Sequence, residues 1–379
     1  MTLRVGVIGG GQLARMMIGP AVELGVELRV LAEAEDSSAA LAATMVGDST
    51  SAATVLAFAK DVDVITFDHE HVPQPVLEAL LEVGVAVRPA PAALLHAQDK
   101  IVMRQRLTAL GVPVPAWAAV STAAELAVFL EANGGRGVVK TPRGGYDGKG
   151  VRVVSDPSEV ADWFEAAAGS ALLVEAFVPY QRELAQLIAR RPSGEAALWP
   201  VVETEQRGGV CAIVTAPAPD SDGAVAAQAA EIARTIAEGL DVTGVLAVEM
   251  FQTTDGSLLV NELAMRPHNS GHWSMDGAIT GQFEQHLRAV LDLPLGDPSP
   301  REPWSVMVNV LGGPSEGDYT DHYPELLAAY PDVKVHGYGK SLRPGRKVGH
   351  VTAVGSDLAQ VADRARGAAR ILNSAALEG

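Results

Sequence analysis

The sequence predicts a multidomain chain of mixed class, α/β at the N-terminus and α+β beyond it. Three observations predict this. Strand-like and helix-like runs alternate over residues 1–95, the pattern of a doubly wound parallel sheet. From 136 to 265, short alternating strands separated by Gly-rich turns replace it, the pattern of antiparallel sheets. Prolines at Pro89-Ala90-Pro91, at Val112-Pro113-Val114-Pro115 and across 294–303 punctuate the chain between these regimes.

The first strand spans 3–9, followed by a helix over 11–24 in which Pro20 predicts a kink or break. Further strands fall at 27–33 and 62–67, and one helix at about 92–110. The central part reads as strands at 137–140, 150–154, 172–176, 183–190, 196–203, 210–216, 244–252 and 257–263. Helices at 121–132, 156–168, 224–239 and 277–291 lie among and after them. Residues 304–355 read as more strands and turns. A closing amphipathic helix carries Leu358, Val361, Ala365, Ala368 and Leu372 on one face.

Composition bounds the function. The chain has 379 residues, 48% hydrophobic and 20% charged, enough for two or three packed domains. Its formal charge of −17 repels a polyphosphate backbone, so no nucleic-acid partner is expected. Cys211 is the only cysteine, which excludes an intrachain disulfide. No signal-peptide layout and no long apolar run appears, so the expectation is a cytoplasmic protein without a membrane partner.

Five motifs carry chemistry. Gly9-Gly10-Gly11-Gln12-Leu13-Ala14 fits a dinucleotide-binding turn, with Glu33 or Glu35 as the ribose acid, although any tight strand-to-helix turn favours glycine. Lys140 and Lys149 flank Gly144, Gly145, Gly148 and Gly150, so consecutive backbone N–H groups and two ammonium groups can face a phosphate. This is not a Walker loop, because Gly rather than Ser or Thr follows Lys149. Asp255-Gly256 reads as a two-residue hairpin turn. That turn places Glu249 opposite Glu262, with Cβ atoms about 4.5–5.5 Å apart. Paired carboxylates beside a phosphate loop suit a hard divalent cation, with Asn261 or Asn269 as a further oxygen; a longer loop would shift the register. Arg266 and His268 then follow in a loop that can face an anionic substrate. His268 and His272 have metal-ligand spacing, but the Pro, Asn, Ser and Gly around them disfavour the helix it needs. Finally, Lys340, Arg343, Arg346 and Lys347 fall within eight residues, either a solvated basic loop or a phosphomonoester pocket.

Taken in order, several segments resemble the ATP-grasp superfamily, and within it the N5-carboxyaminoimidazole ribonucleotide synthases. They are Gly9–Leu13, Gln98-Asp99-Lys100, Gly144–Gly150, Asn261–His272 and Arg343–His350. The resemblance implies a Rossmann-like N-terminal domain (1–95), a central two-lobed ATP-grasp domain (96–296, with a mobile lid at about 112–176) and a small β-rich C-terminal domain (297–379). It implies ATP- and bicarbonate-dependent carboxylation of 5-aminoimidazole ribonucleotide through carboxyphosphate, with Mg²⁺, for which Mn²⁺ can substitute, and a homodimer. By the same resemblance Lys100, Lys140, Gly145, Tyr146, Asp147, Gly148, Lys149 and Gly150 contact ATP phosphates. Glu175, Ala176, Phe177 and Val178 hold adenine and Glu183 the ribose. Gln206, Asn261 and Glu262 complete the nucleotide set, and Glu249 and Glu262 ligate the metal. Arg266, His268, Asn269 and Lys340 are the catalytic candidates. Tyr146, Arg266, His268, Lys340, Arg346 and Lys347 surround the ribonucleotide. Lys100, Gln206 and Met265 stand where this family often has Arg, His and Pro, and Phe67–Val72 is a divergent form of a Glu-rich segment. Two alternatives are a formate-dependent glycinamide ribonucleotide transformylase of the same fold and an NAD-dependent oxidoreductase built on Gly9–Ala14.

Overall fold

The computed structural model describes residues 2–145, 150–221, 223–312 and 318–372. Within them lie three sheets. The first is parallel and runs β3-β2-β1-β4-β5, from Arg4–Ile8 (β1), Glu27–Ala32 (β2), Ala43–Val46 (β3), Val64–Phe67 (β4) and Ala86–Val87 (β5). Its strand order reverses between β1 and β4, so a crevice opens at their carboxyl ends. The second is antiparallel, β6-β9-β7-β8, from Trp117–Val120 (β6), Gly137–Lys140 (β7), Val151–Val154 (β8) and Leu172–Ala176 (β9). It has its own core of Val120, Leu126, Leu130, Val139, Val154, Val160, Leu172 and Val174.

The third sheet has nine strands and spans the centre and the C-terminus. These are Tyr180–Arg190 (β10), Ala196–Leu198 (β11), Val202–Arg207 (β12), Val210–Ala216 (β13), Gly244–Thr253 (β14), Leu258–Ala264 (β15), Trp304–Leu311 (β16), Lys334–Gly337 (β17) and Lys347–Gly355 (β18). They run β15-β14-β10-β12-β13-β16-β18-β17, with β11 paired to β10. Because β13 pairs directly with β16, hydrogen bonding continues from the central strands into the C-terminal ones. Valines 306, 308, 310 and 351 face the helix Leu358–Ile371, leaving Ser305, Asn309, His350 and Thr352 on the other side.

Three local expectations change, the first being the strand expected at 196–203, which is two, Ala196–Leu198 and Val202–Arg207. The helix Gln12–Leu24 runs through Pro20 without a break. Gly19 precedes that proline and has no Cβ to clash with its ring, which removes one part of the steric cost. The single helix expected at about 92–110 is instead two, Pro91–Gln98 and Lys100–Ala109. Asp99 between them is extended, and its carboxylate accepts from the N–H groups of Ile101 (3.0 Å) and Val102 (3.2 Å). An Asp that caps a new helix competes with continuing the old one. The break places Lys100 at the start of the second helix.

The parallel and central sheets are joined by the helix Gln282–Val290. His286 on it meets Thr66 Oγ1 through Nε2 (2.8 Å), and its Nδ1 accepts from Val245 N–H (3.1 Å). Burial pushes this imidazole down to a pKa of about 3. The unfolded chain protonates it near pH 6.5 and the folded chain does not until about pH 3. Its contribution is therefore fully present above pH 6.5 and is lost as pH falls through that window, at about 1.4 kcal/mol per pH unit. Denaturant titrations should give a lower unfolding free energy at pH 5 than at pH 7, and His286→Gln should remove about 2 kcal/mol of that difference.

Candidate active site

The hairpin of β14 and β15 sets the site. Glu249 and Glu262 are direct cross-strand partners, as the Asp255-Gly256 reading predicts, but by a different route. The turn is one residue longer than expected. Gln252 pairs with Leu258, Thr253 N–H donates to Ser257 O (2.9 Å), and Gly256 takes φ +87°, the left-handed residue of a three-residue loop. A β-bulge then restores the register. Met250 faces Val260 and Glu249 faces Glu262, so Asn261 is the extra residue. The bulge aims Asn261 at its neighbours: Oδ1 accepts from Lys140 Nζ (3.1 Å) and its main-chain oxygen from Arg104 (2.6 Å).

Both carboxylates line a cleft of about 1220 Å³ at the carboxyl ends of β1 and β4. Around them stand Lys100, Gly144, Gly145, Arg266, His268, Asn269, Lys340, Arg346 and Lys347, with Arg343 beside them. The four-cation segment thus faces the cleft. Each carboxylate has its own nitrogen partner. Lys100 Nζ lies 3.1 Å from Glu262 Oε1, and His268 Nε2 lies 3.1 Å from Glu249 Oε1. Burial alone would raise the Glu249 carboxyl, but the His268 hydrogen bond and the charges of His268, Lys347 and Arg266 hold it below the usual range.

Beside this cleft lies a buried ionic cluster. Glu175 is 3% exposed and bridges Arg104 and Lys140, the latter at 2.7 Å. Burial pushes its pKa up, and the two cations more than offset this. Glu175 therefore spends its carboxylate inside the protein. The N–H of Ala176 bonds Ala116 O (2.8 Å) and that of Phe177 bonds Arg136 O (3.4 Å), so a base cannot use those two donors. Phe177 is exposed and stacks under the Arg136 guanidinium, while Val178 follows on the chain into β10. Glu183 bonds Tyr180 (3.0 Å) and Gln206; burial is the main reason that its pKa is raised. Gly150 follows the loop, its carbonyl accepting from Thr141 N–H (2.9 Å). Tyr146, Asp147, Gly148 and Lys149 lie outside the described residues.

The loop after β15 is held tightly. The Gln282 carboxamide accepts from His268 N–H and donates to His268 O, both at 2.8 Å. Asn269 is committed to an amide pair with Asn309, and His272 is fully buried against Gln282. His268 and His272 thus make separate contacts rather than a shared ligand set. Lys340 Nζ bonds Gln12 Oε1 (2.8 Å), tying the basic segment to the N-terminal domain.

Sequence reasoning missed several residues. Glu70 pairs with Arg266 Nε (2.8 Å) and accepts from Met265 N–H (3.2 Å). Gln98 holds the backbone of Glu70 and Val72, both at 2.8 Å. The signal was the run Asp68-His69-Glu70-His71 at the carboxyl end of a buried parallel strand, where ligands of such sheets bind. Arg104, 0% exposed in an otherwise amphipathic helix, gave no such sign.

The glycine turn does not hold a dinucleotide. Gly10 N–H donates to Glu33 Oε2 (3.0 Å), and Ala14 N–H to Asp68 Oδ1 (2.8 Å). Glu33 also pairs with His69, chiefly for which its pKa falls to about 2. A Cβ on Gly11 would sit 2.0 Å from Asp68 Oδ2, so glycine is required to admit the protein's own carboxylate where a pyrophosphate would lie. This geometry disfavours the NAD alternative.

Parallel N-terminal sheet, separate four-stranded antiparallel sheet and acid-lined central sheet together define an ATP-grasp ligase. Family models agree: residues 1–98 match the ribonucleotide synthetase preATP-grasp domain, 105–283 the ATP-grasp domain and 305–364 the phosphoribosylaminoimidazole carboxylase C-terminal domain. The chain is 52% identical over 375 residues to the N5-carboxyaminoimidazole ribonucleotide synthase of Mycobacterium tuberculosis, covering 97% of this chain and 87% of that one. Among solved structures, the Thermus thermophilus synthetase superposes with a TM-score of 0.88 at 36% identity, covering 97% and 98% of the two chains. The Aspergillus clavatus synthase in complex with ADP and 5-aminoimidazole ribonucleotide also gives 0.88, at 30% identity and 98% and 99% coverage. The chain belongs to the N5-carboxyaminoimidazole ribonucleotide synthase family.

Arg104→Met should leave Glu175 buried with Lys140 alone and cost roughly 3–5 kcal/mol of stability, read by chemical denaturation. An unchanged midpoint would show that the cluster is not a structural anchor.

Proposed function

We infer that this chain carboxylates the exocyclic amine of 5-aminoimidazole ribonucleotide with ATP and bicarbonate, forming N5-carboxyaminoimidazole ribonucleotide in purine biosynthesis. The observation that carries this reading is one cleft holding a carboxylate pair, Arg266 and His268, and a four-cation segment. A bicarbonate oxygen attacks the γ-phosphorus of ATP and ADP leaves, giving carboxyphosphate. Carboxyphosphate breaks down to phosphate and CO₂. The amine nitrogen bonds the CO₂ carbon and loses a proton.

Lys100 and Lys140 neutralise the triphosphate from the two sides of the β15 bulge. Lys340, Arg343, Arg346 and Lys347 supply the charge and forks that a ribose 5-phosphate needs. Arg266, oriented by Glu70, faces the same space and suits the carboxylate or phosphate of the intermediate. Asn269, paired with Asn309, shapes the loop at the cleft wall.

Glu249 and Glu262 fit Mg²⁺, or Mn²⁺ in its place: both are hard oxygen donors, and they stand abreast on one sheet face. Among the described residues no group of three or more His, Cys, Asp or Glu could hold a metal, so phosphates and water would complete the shell. Bound there, the ion would screen phosphate charge and orient the γ-phosphoryl group. The sheet β6–β9 is the piece we assign as the lid, since it has a core of its own. Closing it over the cleft would exclude water from carboxyphosphate. We divide the chain functionally near residues 95 and 296, with the substrate bound where the three parts meet.

ADP release should require both the ribonucleotide and bicarbonate, and formate should not replace bicarbonate. Indifference to the ribonucleotide would overturn the assignment. Glu262→Gln should lower kcat about 100-fold or more while leaving the fold intact by circular dichroism.

A further inference from the structure

The segment after Arg266 and His268 forms two short helical turns, Asn269–Gly271 and Ser274–Gly277. Asn269, His272 and Asp276 are spaced three and four apart on it, which brings them to one side. They meet a row of side chains that crosses three strands. Asn309 on β16 is opposite His350 on β18, and His350 is opposite His336 on β17. The first rung is the Asn269–Asn309 amide pair, at 2.7 and 3.2 Å. The second is a ring stack of His272 on His350, centroids 5.1 Å apart. The third is His336 Nε2 to Asp276 Oδ2 at 2.8 Å. His350 also stacks on His336 at 4.6 Å.

Both walls of the ribonucleotide end of the cleft hang from this ladder. Arg266 and His268 directly precede its first rung. On the other side, Lys347 opens the strand that carries His350, and Tyr338, bonded to His350 Nδ1 (2.8 Å), lies two residues before Lys340. Gln282 donates to His272 Nδ1 (2.7 Å) and clamps His268, which places the His272 proton on Nε2. Gly277 allows the close approach: a Cβ there would sit 2.3 Å from Ser305 Oγ.

We propose that the rungs Asn269–Asn309, His272–His350 and Asp276–His336 are positioning residues that set the separation between Arg266–His268 and the Lys340–Lys347 cations, and so the affinity for the ribonucleotide. The proposal rests on the carboxylase reading. Lys100, Lys140 and Glu262 come from other elements, so ATP binding depends on the ladder only indirectly, through the His268–Glu249 contact.

The test is steady-state kinetics on Asp276→Ala, Asp276→Asn and Asn309→Leu, with thermal unfolding to confirm folding. Asp276 and His336 are part-exposed, so the Asp276 variants decide the matter should Asn309→Leu fail to fold. KM for the ribonucleotide should rise about tenfold in Asp276→Ala, the worth of one lost hydrogen bond, while KM for ATP stays within about twofold. Asp276→Asn, which still accepts from His336, should restore most of the loss. An unchanged ribonucleotide KM in Asp276→Ala, or an equal rise in both KM values, would overturn the proposal. A wild-type enzyme that releases ADP without the ribonucleotide would instead overturn the carboxylase reading.

Discussion

Two carboxylates held abreast on one sheet face repel each other, and the cleft is arranged around that repulsion. Glu249 and Glu262 cannot move apart, because the β14–β15 ladder sets their register. Lys100 pairs with Glu262, and the His268 ring meets Glu249 through Nε2. A divalent cation brought in with ATP would compete with those two contacts rather than enter an empty cage. The cost of assembling like charges is thus offset within the protein, by an ion pair at Glu262 and the His268 contact at Glu249.

The same logic of internal neutralisation explains the N-terminal domain. Its glycine turn has the backbone of an anion seat, yet Glu33 and Asp68 fill it with the protein's own carboxylates. Burial raises the Asp68 pKa, so this seat holds its proton more readily than an exposed carboxylate would. What the turn does instead is structural: it brings the end of β4, with His69 and Glu70, against Arg266. A fold shape shared with dinucleotide enzymes therefore contributes a wall of the cleft and not a nucleotide site.

Packing is divided along the sheets. The nine-stranded sheet carries the Glu pair at one end and the basic segment's anchoring strands at the other, joined by continuous hydrogen bonding through β13 and β16. Distances between acid and base clusters are then set by one elastic body. The sheet β6–β9 packs on a core of its own. Lys140 lies on that smaller sheet, and its bonds to Glu175 and Asn261 connect it with the larger one.

The sequence by itself determined the domain order, the alternation of the N-terminal strands and helices, the Glu249–Glu262 partnership and the cationic character of 340–347. These depend on periodicity, turn chemistry and local charge, all written within a few residues. Even so, the Glu pairing came through by compensation, since the longer turn and the Asn261 bulge each shift the register by one and cancel. The split at Asp99 turned on a capping bond against helix continuity, a local competition that pattern alone does not resolve. Only tertiary structure decided that Glu70 clamps Arg266, that Arg104 and Glu175 bury their charges together and that the glycine turn is filled from within. Each of those joins residues far apart in the chain, and whether a buried charge finds a partner depends on what the fold packs against it.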